Sequence, residues 1–161
     1  MAQLFLVRPV PTIFVSHSTR TPAREKAIEF RALLLEGSPD LKVFLSSDWN
    51  SIVAGTNSLL EIERALATHT HFIALLVHES DAGLPWICYE VGYARGRGLL
   101  PKIFVFSGVN PSNVSLPLGG IHLISTGDTN RWTEELLAMG VSDMKQKEKK
   151  FARLFGQEQP V

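Results

Sequence analysis

An α/β fold built on a parallel sheet is what this sequence predicts, and three observations predict it. Short apolar runs alternate with segments whose apolar residues recur every three or four positions. One run, residues 72–77 (FIALLV), is apolar without a break, as expected of a central strand covered on both faces. The resulting order, β-α-β-α-β-α-β-loop-β-α, is that of a parallel sheet with helices on both of its faces.

Each element has its own local reason. Residues 12–16 (TIFVS) are β-branched and aromatic and run into polar Ser16-His17-Ser18. Thr21-Pro22 then offers an N-cap with a first-turn proline, and Ala23, Ala27, Phe30 and Leu34 mark one helix face. Gly37-Ser38-Pro39 stops that helix, and residues 42–46 (KVFLS) form the second strand. After a polar stretch at 47–56, Ser58 and Glu61 have the spacing of a capping box, with Leu59, Ile62 and Leu66 as the buried face. Residues 72–77 are the third strand, and Pro85 opens a third helix running to about Arg97. Residues 102–106 (KIFVF) are the fourth strand. Residues 107–120, rich in Pro, Gly, Ser and Asn, read as a loop. A weaker fifth strand lies at 121–124 (IHLI), and a helix at 131–139 carries Trp132, Leu136 and Met139 on one side. Five strands in this length suggest a flavodoxin-like order, 2-1-3-4-5. The domain is expected to span 1–140. Residues 141–161 read as a basic helix or tail that continues the last helix, frays, or links to a further domain.

Composition narrows the function classes. The chain of 161 residues suits one domain with a sizeable core. Sixteen basic residues balance sixteen acidic ones, which argues against a nucleic-acid binder. The single cysteine, Cys88, allows no internal disulfide and fits a reducing, cytoplasmic setting. No apolar run approaches the ~20 residues of a membrane span, and residues 1–10 lack the marks of a signal peptide. There is no phosphate-binding Walker loop, no nucleophile elbow and no dinucleotide fingerprint, since Gly92, Gly96 and Gly98 do not follow a strand. His69 and His71 are spaced like a metal pair but have no third ligand in sequence, so no metal is expected.

In an open sheet of this order, ligands sit beyond the C-terminal strand ends, between strands one and three. The segments delivered there are 16–20 and 78–90, with 47–55 flanking them. On the third helix, Trp86, Glu90, Tyr93 and Arg97 fall within about 60° of one another. Ile87, Val91 and Ala94 form a separate face rotated by roughly 100°, the expected sheet-packing stripe. Glu90 is thus expected off the apolar face. Two roles stay open for it: a first-turn carboxylate favouring the helix dipole, or a catalytic group.

Three stretches in order carry a resemblance. Residues 12–18 (TIFVSHS) resemble the first signature box of Toll/interleukin-1 receptor (TIR) domains. Residues 46–55 (SSDWNSIVAG) resemble the loop after the second strand, which closes on glycine, and 80–90 (SDAGLPWICYE) resemble the segment with Trp and Glu four apart. The similarity covers roughly residues 11–140. The chain departs from animal signalling members in having no proline between Asp40 and Leu84. It also carries Trp49, as prokaryotic-looking members do, which tilts the reading toward an enzyme or defence module.

The resemblance implies cleavage of the nicotinamide–ribose bond of NAD⁺ by a hydrolase or cyclase in an immune or antiphage-type pathway. NAD⁺ is then substrate rather than cofactor, and Glu90 is the catalytic residue. The reaction needs a negative charge beside an oxocarbenium-like carbon and a grip on the ribose; its leaving group is neutral. Candidate substrate-binding residues are Ser16, His17, Ser18, Arg20, Asp48, Trp49, Trp86 and Arg97. Each has a plainer role available. Trp86 can pack the helix against a loop, His17 can bond locally, Trp49 can anchor an interface, and the arginines can be solvated charges. Cys88, one turn from Glu90, reads as a buried structural thiol rather than a nucleophile. Expected partners are further copies of the chain through TIR–TIR contacts and an effector or sensor protein, with neither nucleic acid nor membrane. Two alternatives remain: a non-catalytic self-association module, and an enzyme resembling nucleoside deoxyribosyltransferases.

Overall fold

The structure, a computed structural model, describes residues 10–51, 58–114 and 121–157, the side chains of 49–51 and 58 excepted. Five strands form one sheet: β1 (Thr12–Ser16), β2 (Lys42–Leu45), β3 (His71–Leu76), β4 (Lys102–Val105) and β5 (Leu123–Ser125). Their order is β2-β1-β3-β4-β5 and every pairing is parallel, as the alternation of elements predicts. The helices are α1 (Ala23–Leu35), α2 (Ser58–Thr68), α3 (Pro85–Gly96), α4 (Thr129–Ala138) and α5 (Met144–Leu154). No described helix is long and apolar enough to cross a membrane.

The period of two along each strand sorts side chains between two cores. Ile13, Val15, Ile73, Leu75, Phe104 and Ile124 face α1, α4 and α5, where Phe30, Leu34, Trp132 and Phe151 meet them. Phe14, Phe72, Ala74, Leu76, Ile103 and Val105 face α2 and α3 and pack on Ile62, Leu66, Ile87, Val91 and Ala94. β3 lies in the middle of the sheet and is buried on both faces, which explains its unbroken apolar run.

Most element boundaries fall within a residue or two of the sequence reading, and three points are corrected. β5 begins at Leu123, two residues late, because its register is set by Ile103↔Leu123 on β4. Leu59 is 41 % exposed, and α2 reaches the sheet through Ile62 and Leu66. The third concerns the C-terminus. The segment read as a basic helix or tail beyond the domain is a helix, α5, but it belongs to the domain: Met144, Phe151, Leu154 and Phe155 lie in the same core as β1 and α1. Phe155 meets Trp132 edge-on, with ring centroids 5.3 Å apart. The basic residues hid this because they lie between apolar ones at helical spacing: Lys145 and Lys149 are exposed while Met144 and Phe151 are buried. Lys147 is buried as well, and its Nζ donates to the Glu36 carbonyl, an otherwise open group at the end of α1. Gly37 takes a left-handed φ of 69° just after α1, and a Cβ there would collide with the Asp143 carboxylate at the head of α5. The loop between β4 and β5 holds the short 3₁₀ turn Pro111–Asn113; residues 115–120 lie outside the described residues.

Candidate functional site

β1 and β3 are neighbours, yet the chain leaves them toward opposite faces, β1 into α1 and β3 into α3. That divergence opens a crevice at their C-terminal ends, the place where ligands sit in open parallel sheets. The 3₁₀ turn Ser46–Ser51, following β2, stands beside it.

Glu90 lies under this crevice. Its side chain comes from the second turn of α3 and is 0 % exposed, so the expectation that it stands off the buried surface is corrected. The helical angles were right, but the end of β1 covers the side of α3 they left open. The Ser16 hydroxyl donates a hydrogen bond to Glu90 Oε2. Oε1 has no hydrogen-bond partner among the described residues. The Trp86 side chain is near enough to favour the charged carboxylate without closing a hydrogen bond on Oε1. Burial dominates these effects and pushes the Glu90 carboxyl up to about 8; Ser16 and then Trp86 pull the other way.

Around this carboxyl the polar groups are held by one another. His17 is buried. Its Nδ1 lies 2.8 Å from the Ser18 carbonyl and its Nε2 3.1 Å from Ser47 Oγ. Its backbone N–H donates to Ser46 Oγ at 3.2 Å. Burial lowers the pKa of the ring. Ser18, also buried, accepts the Arg20 N–H on its hydroxyl at 3.2 Å. Asp48 accepts from the Arg31 guanidinium at 2.8 Å and from the Leu45 N–H at 2.9 Å, which fixes the 3₁₀ turn to α1 and β2. Trp49 lies in that turn, and its side chain is outside the described residues.

The opening above Glu90 is a cleft of ≈ 270 Å³. His17, Ser18, Thr19 and Arg20 line one side; Leu84, Pro85, Trp86 and Ile87 line the other. Glu90 is not part of its wall. The cleft falls just below the ~300–1,000 Å³ usual for small-molecule sites. Other hollows of ≈ 370 and ≈ 300 Å³ meet at Leu99, Leu100 and Lys102, ahead of β4 at the far end of the sheet.

The structure therefore brings together Ser16, His17, Ser18, Arg20, Trp86 and Glu90, with Asp48 bracing the adjacent turn. Arg97 is the exception. It follows the last turn of α3, is exposed, and donates to the Ala67 carbonyl at 3.0 Å. A helix rises about 1.5 Å per residue, so sharing a helical side with Trp86 still leaves Arg97 about 16 Å away along the axis. Cys88 is half-buried, with its thiol directed to the Ala82 carbonyl at 3.4 Å.

Sequence reasoning missed Ser46, Ser47 and Asp81. Asp81 is buried and accepts the N–H groups of Val77 and His78, both at 3.0 Å, closing the turn that leads from β3 to α3. Its position three residues after His78 was the available signal. Ser46 and Ser47 gave none, because their partner His17 is some 30 residues away.

The chain matches no protein-family model, and no curated protein sequence matches it. Fold and site together define a doubly wound α/β domain with a buried carboxyl at the switch point of its sheet.

Proposed function

We propose that this chain is a TIR-type domain that breaks the nicotinamide–ribose bond of NAD⁺, with Glu90 as the catalytic carboxylate. The single observation that carries this reading is Glu90 itself. A carboxyl group is buried where substrates of such sheets bind, hydrogen-bonded on one oxygen and without a partner on the other. Burying a carboxyl this way is costly, and perturbed groups of this kind concentrate at functional sites.

The chemistry fits its electrostatics. Burial by itself favours the neutral acid at pH 7. A nicotinamide ring bound as its N-glycoside is cationic, and a positive charge close by favours the carboxylate. The substrate thus drives the Glu90 proton into solvent and leaves the anion that the reaction needs. As the anomeric C–N bond breaks, its electron pair goes to nicotinamide, which leaves neutral. Positive charge passes to the ribosyl carbon and ring oxygen beside Oε1. Water, which gives up a proton to the carboxylate or to solvent, or a nucleophile within the remaining molecule, then captures that carbon. Trp86 would wall the nicotinamide, Arg20 would meet the diphosphate, and Ser18 the ribose. Admitting the substrate to Glu90 requires the Trp86 side of the cleft to move. The reading includes a cytoplasmic setting and association with further copies or with an effector or sensor protein.

A non-catalytic interaction module is the second reading, favoured by the complete enclosure of Glu90 and the small cleft. Incubation with NAD⁺, with products resolved by mass spectrometry, separates the two. The proposal expects nicotinamide together with ADP-ribose or a cyclic isomer from the unmodified chain and none from Glu90→Gln. Equal release from a folded Glu90→Gln variant would remove Glu90 from the chemistry.

A further inference from the structure

His17 stands in the cleft wall, and both of its ring nitrogens bond to the protein. The Ser18 carbonyl can only accept, so Nδ1 carries the proton. Nε2 is then a lone-pair acceptor, and the Ser47 hydroxyl donates to it. The main chain of the same residue is held too. Its N–H donates to Ser46 Oγ at 3.2 Å, and the Ser46 hydroxyl returns a long bond, 3.5 Å, to its carbonyl. His17 therefore ties the end of β1 to the first two residues of the turn after β2. The residue before it is Ser16, whose hydroxyl grips Glu90. β-pairing holds Ser16 toward β3 through the register Ser16↔Ala74. Toward β2 the pairing stops at Val15↔Leu45, and the serine–histidine contacts take over there.

We propose that His17 is a positioning residue: by clamping the end of β1 to Ser46 and Ser47, it holds the Ser16 hydroxyl on Glu90. It touches neither the carboxyl nor the reacting atoms. Its side chain does what a strand pairing one residue longer would do, while leaving the backbone free to turn away into α1. Neutral imidazole suits this place because it offers one donor and one acceptor in fixed directions. Burial is the main force against the imidazolium; the Ser18 carbonyl and Asp48 favour it, and Arg24 and Arg31 disfavour it.

The part of this inference that concerns turnover rests on the proposed NAD⁺ cleavage; the part that concerns Glu90 does not. The test separates them. The titration of Glu90 is followed as the pH dependence of the melting difference between a chain and its Glu90→Gln counterpart. It is measured in the unsubstituted background and in Ser16→Ala, Ser47→Ala, His17→Asn and His17→Gln. The Ser16 bond favours the charged carboxyl, so Ser16→Ala moves the titration upward. Ser47→Ala and His17→Asn are expected to move it the same way. The amide of Asn reaches only as far as Nδ1 and keeps the Ser18 bond, whereas that of Gln reaches as far as Nε2 and keeps the bond to Ser47. His17→Gln should therefore stay closer to the unsubstituted chain. In parallel, nicotinamide release should fall about tenfold in kcat for His17→Asn, the worth of one well-placed hydrogen bond, with KM little changed.

A Glu90 titration that shifts in Ser16→Ala but stays put in folded Ser47→Ala and His17→Asn overturns the positioning role, as does a Ser16→Ala variant that shifts nothing. Absence of nicotinamide release from the unsubstituted chain counts against the proposed function only, and the titrations still decide the role of His17.

Discussion

The Ser16 hydroxyl donates to Oε2 of Glu90 across 74 residues of sequence, joining the last residue of β1 to the second turn of α3. The bond holds one carboxyl oxygen and leaves the other without a partner among the described residues. It spans the two elements that diverge at the switch point. The carboxyl therefore sits beneath the crevice, covered from it.

Stability should record the burial of Glu90 as a function of pH. The carboxyl is raised from 4.5 to about 8 in the folded chain. Below about pH 4.5 it is protonated whether folded or unfolded and makes no difference. Between about 4.5 and 8 only the unfolded chain ionises, so stability falls as pH rises, on the order of 1.4 kcal/mol per pH unit before relaxation of the site. Above about 8 both states are ionised and the penalty is constant. Glu90→Gln lacks this dependence and should melt progressively higher than the unsubstituted chain as pH rises from 5 to 8. A melting difference independent of pH would show that Glu90 is not buried as described.

The two arginines among the candidate substrate-binding residues should behave differently. Arg20 lines the cleft and Arg97 closes the far end of α3. Arg20→Ala should raise KM for NAD⁺ by about tenfold, as loss of a charge-assisted contact does. Arg97→Ala should leave KM unchanged. Steady-state nicotinamide release measures both, and a larger effect from Arg97 would mean the substrate lies elsewhere.

Removing α5 should unfold the domain rather than trim a tail. Phe151 is fully buried against Phe30 and Trp132. Phe151→Ala should cost about 3–5 kcal/mol, read as a shift of the chemical-denaturation midpoint. Ending the chain at Gly140 should yield a product without a cooperative melt. A truncated chain that melts like the whole would restore the boundary at residue 140.

Specific activity should rise with protein concentration if a neighbouring copy completes the site. The cleft is small for NAD⁺, and excluding water strengthens electrostatic stabilisation at the reacting centre. Turnover per chain measured across about a hundredfold range of concentration, alongside light scattering, tests this. Trp49→Ala should lower self-association and turnover together. Flat specific activity from a monomer would exclude a shared site.

How far the sequence reached depends on the range of the interaction concerned. Strand and helix identity and the stripe of Ile87, Val91 and Ala94 were legible because each is a periodicity within a dozen residues, and the order of β1 to β5 followed from the alternation of those elements. The pairing of Trp86 with Glu90 near the start of α3 was legible for the same reason. The grouping of Arg97 with them failed because helical angle was considered without helical rise.

That the chain is a doubly wound α/β domain, with polar segments after β1 and β3 gathered at one end of its sheet, follows from the order of its residues alone. Only the tertiary structure decided that Glu90 is buried, that Ser16 holds it by one oxygen, and that His17 bonds to Ser47. It likewise decided that α5, basic as it is, closes the core. The physical reason is that burial and hydrogen-bond partnership depend on what another part of the chain lays over a side chain. For Glu90 that part is the end of β1, and no spacing within residues 85–96 contains it.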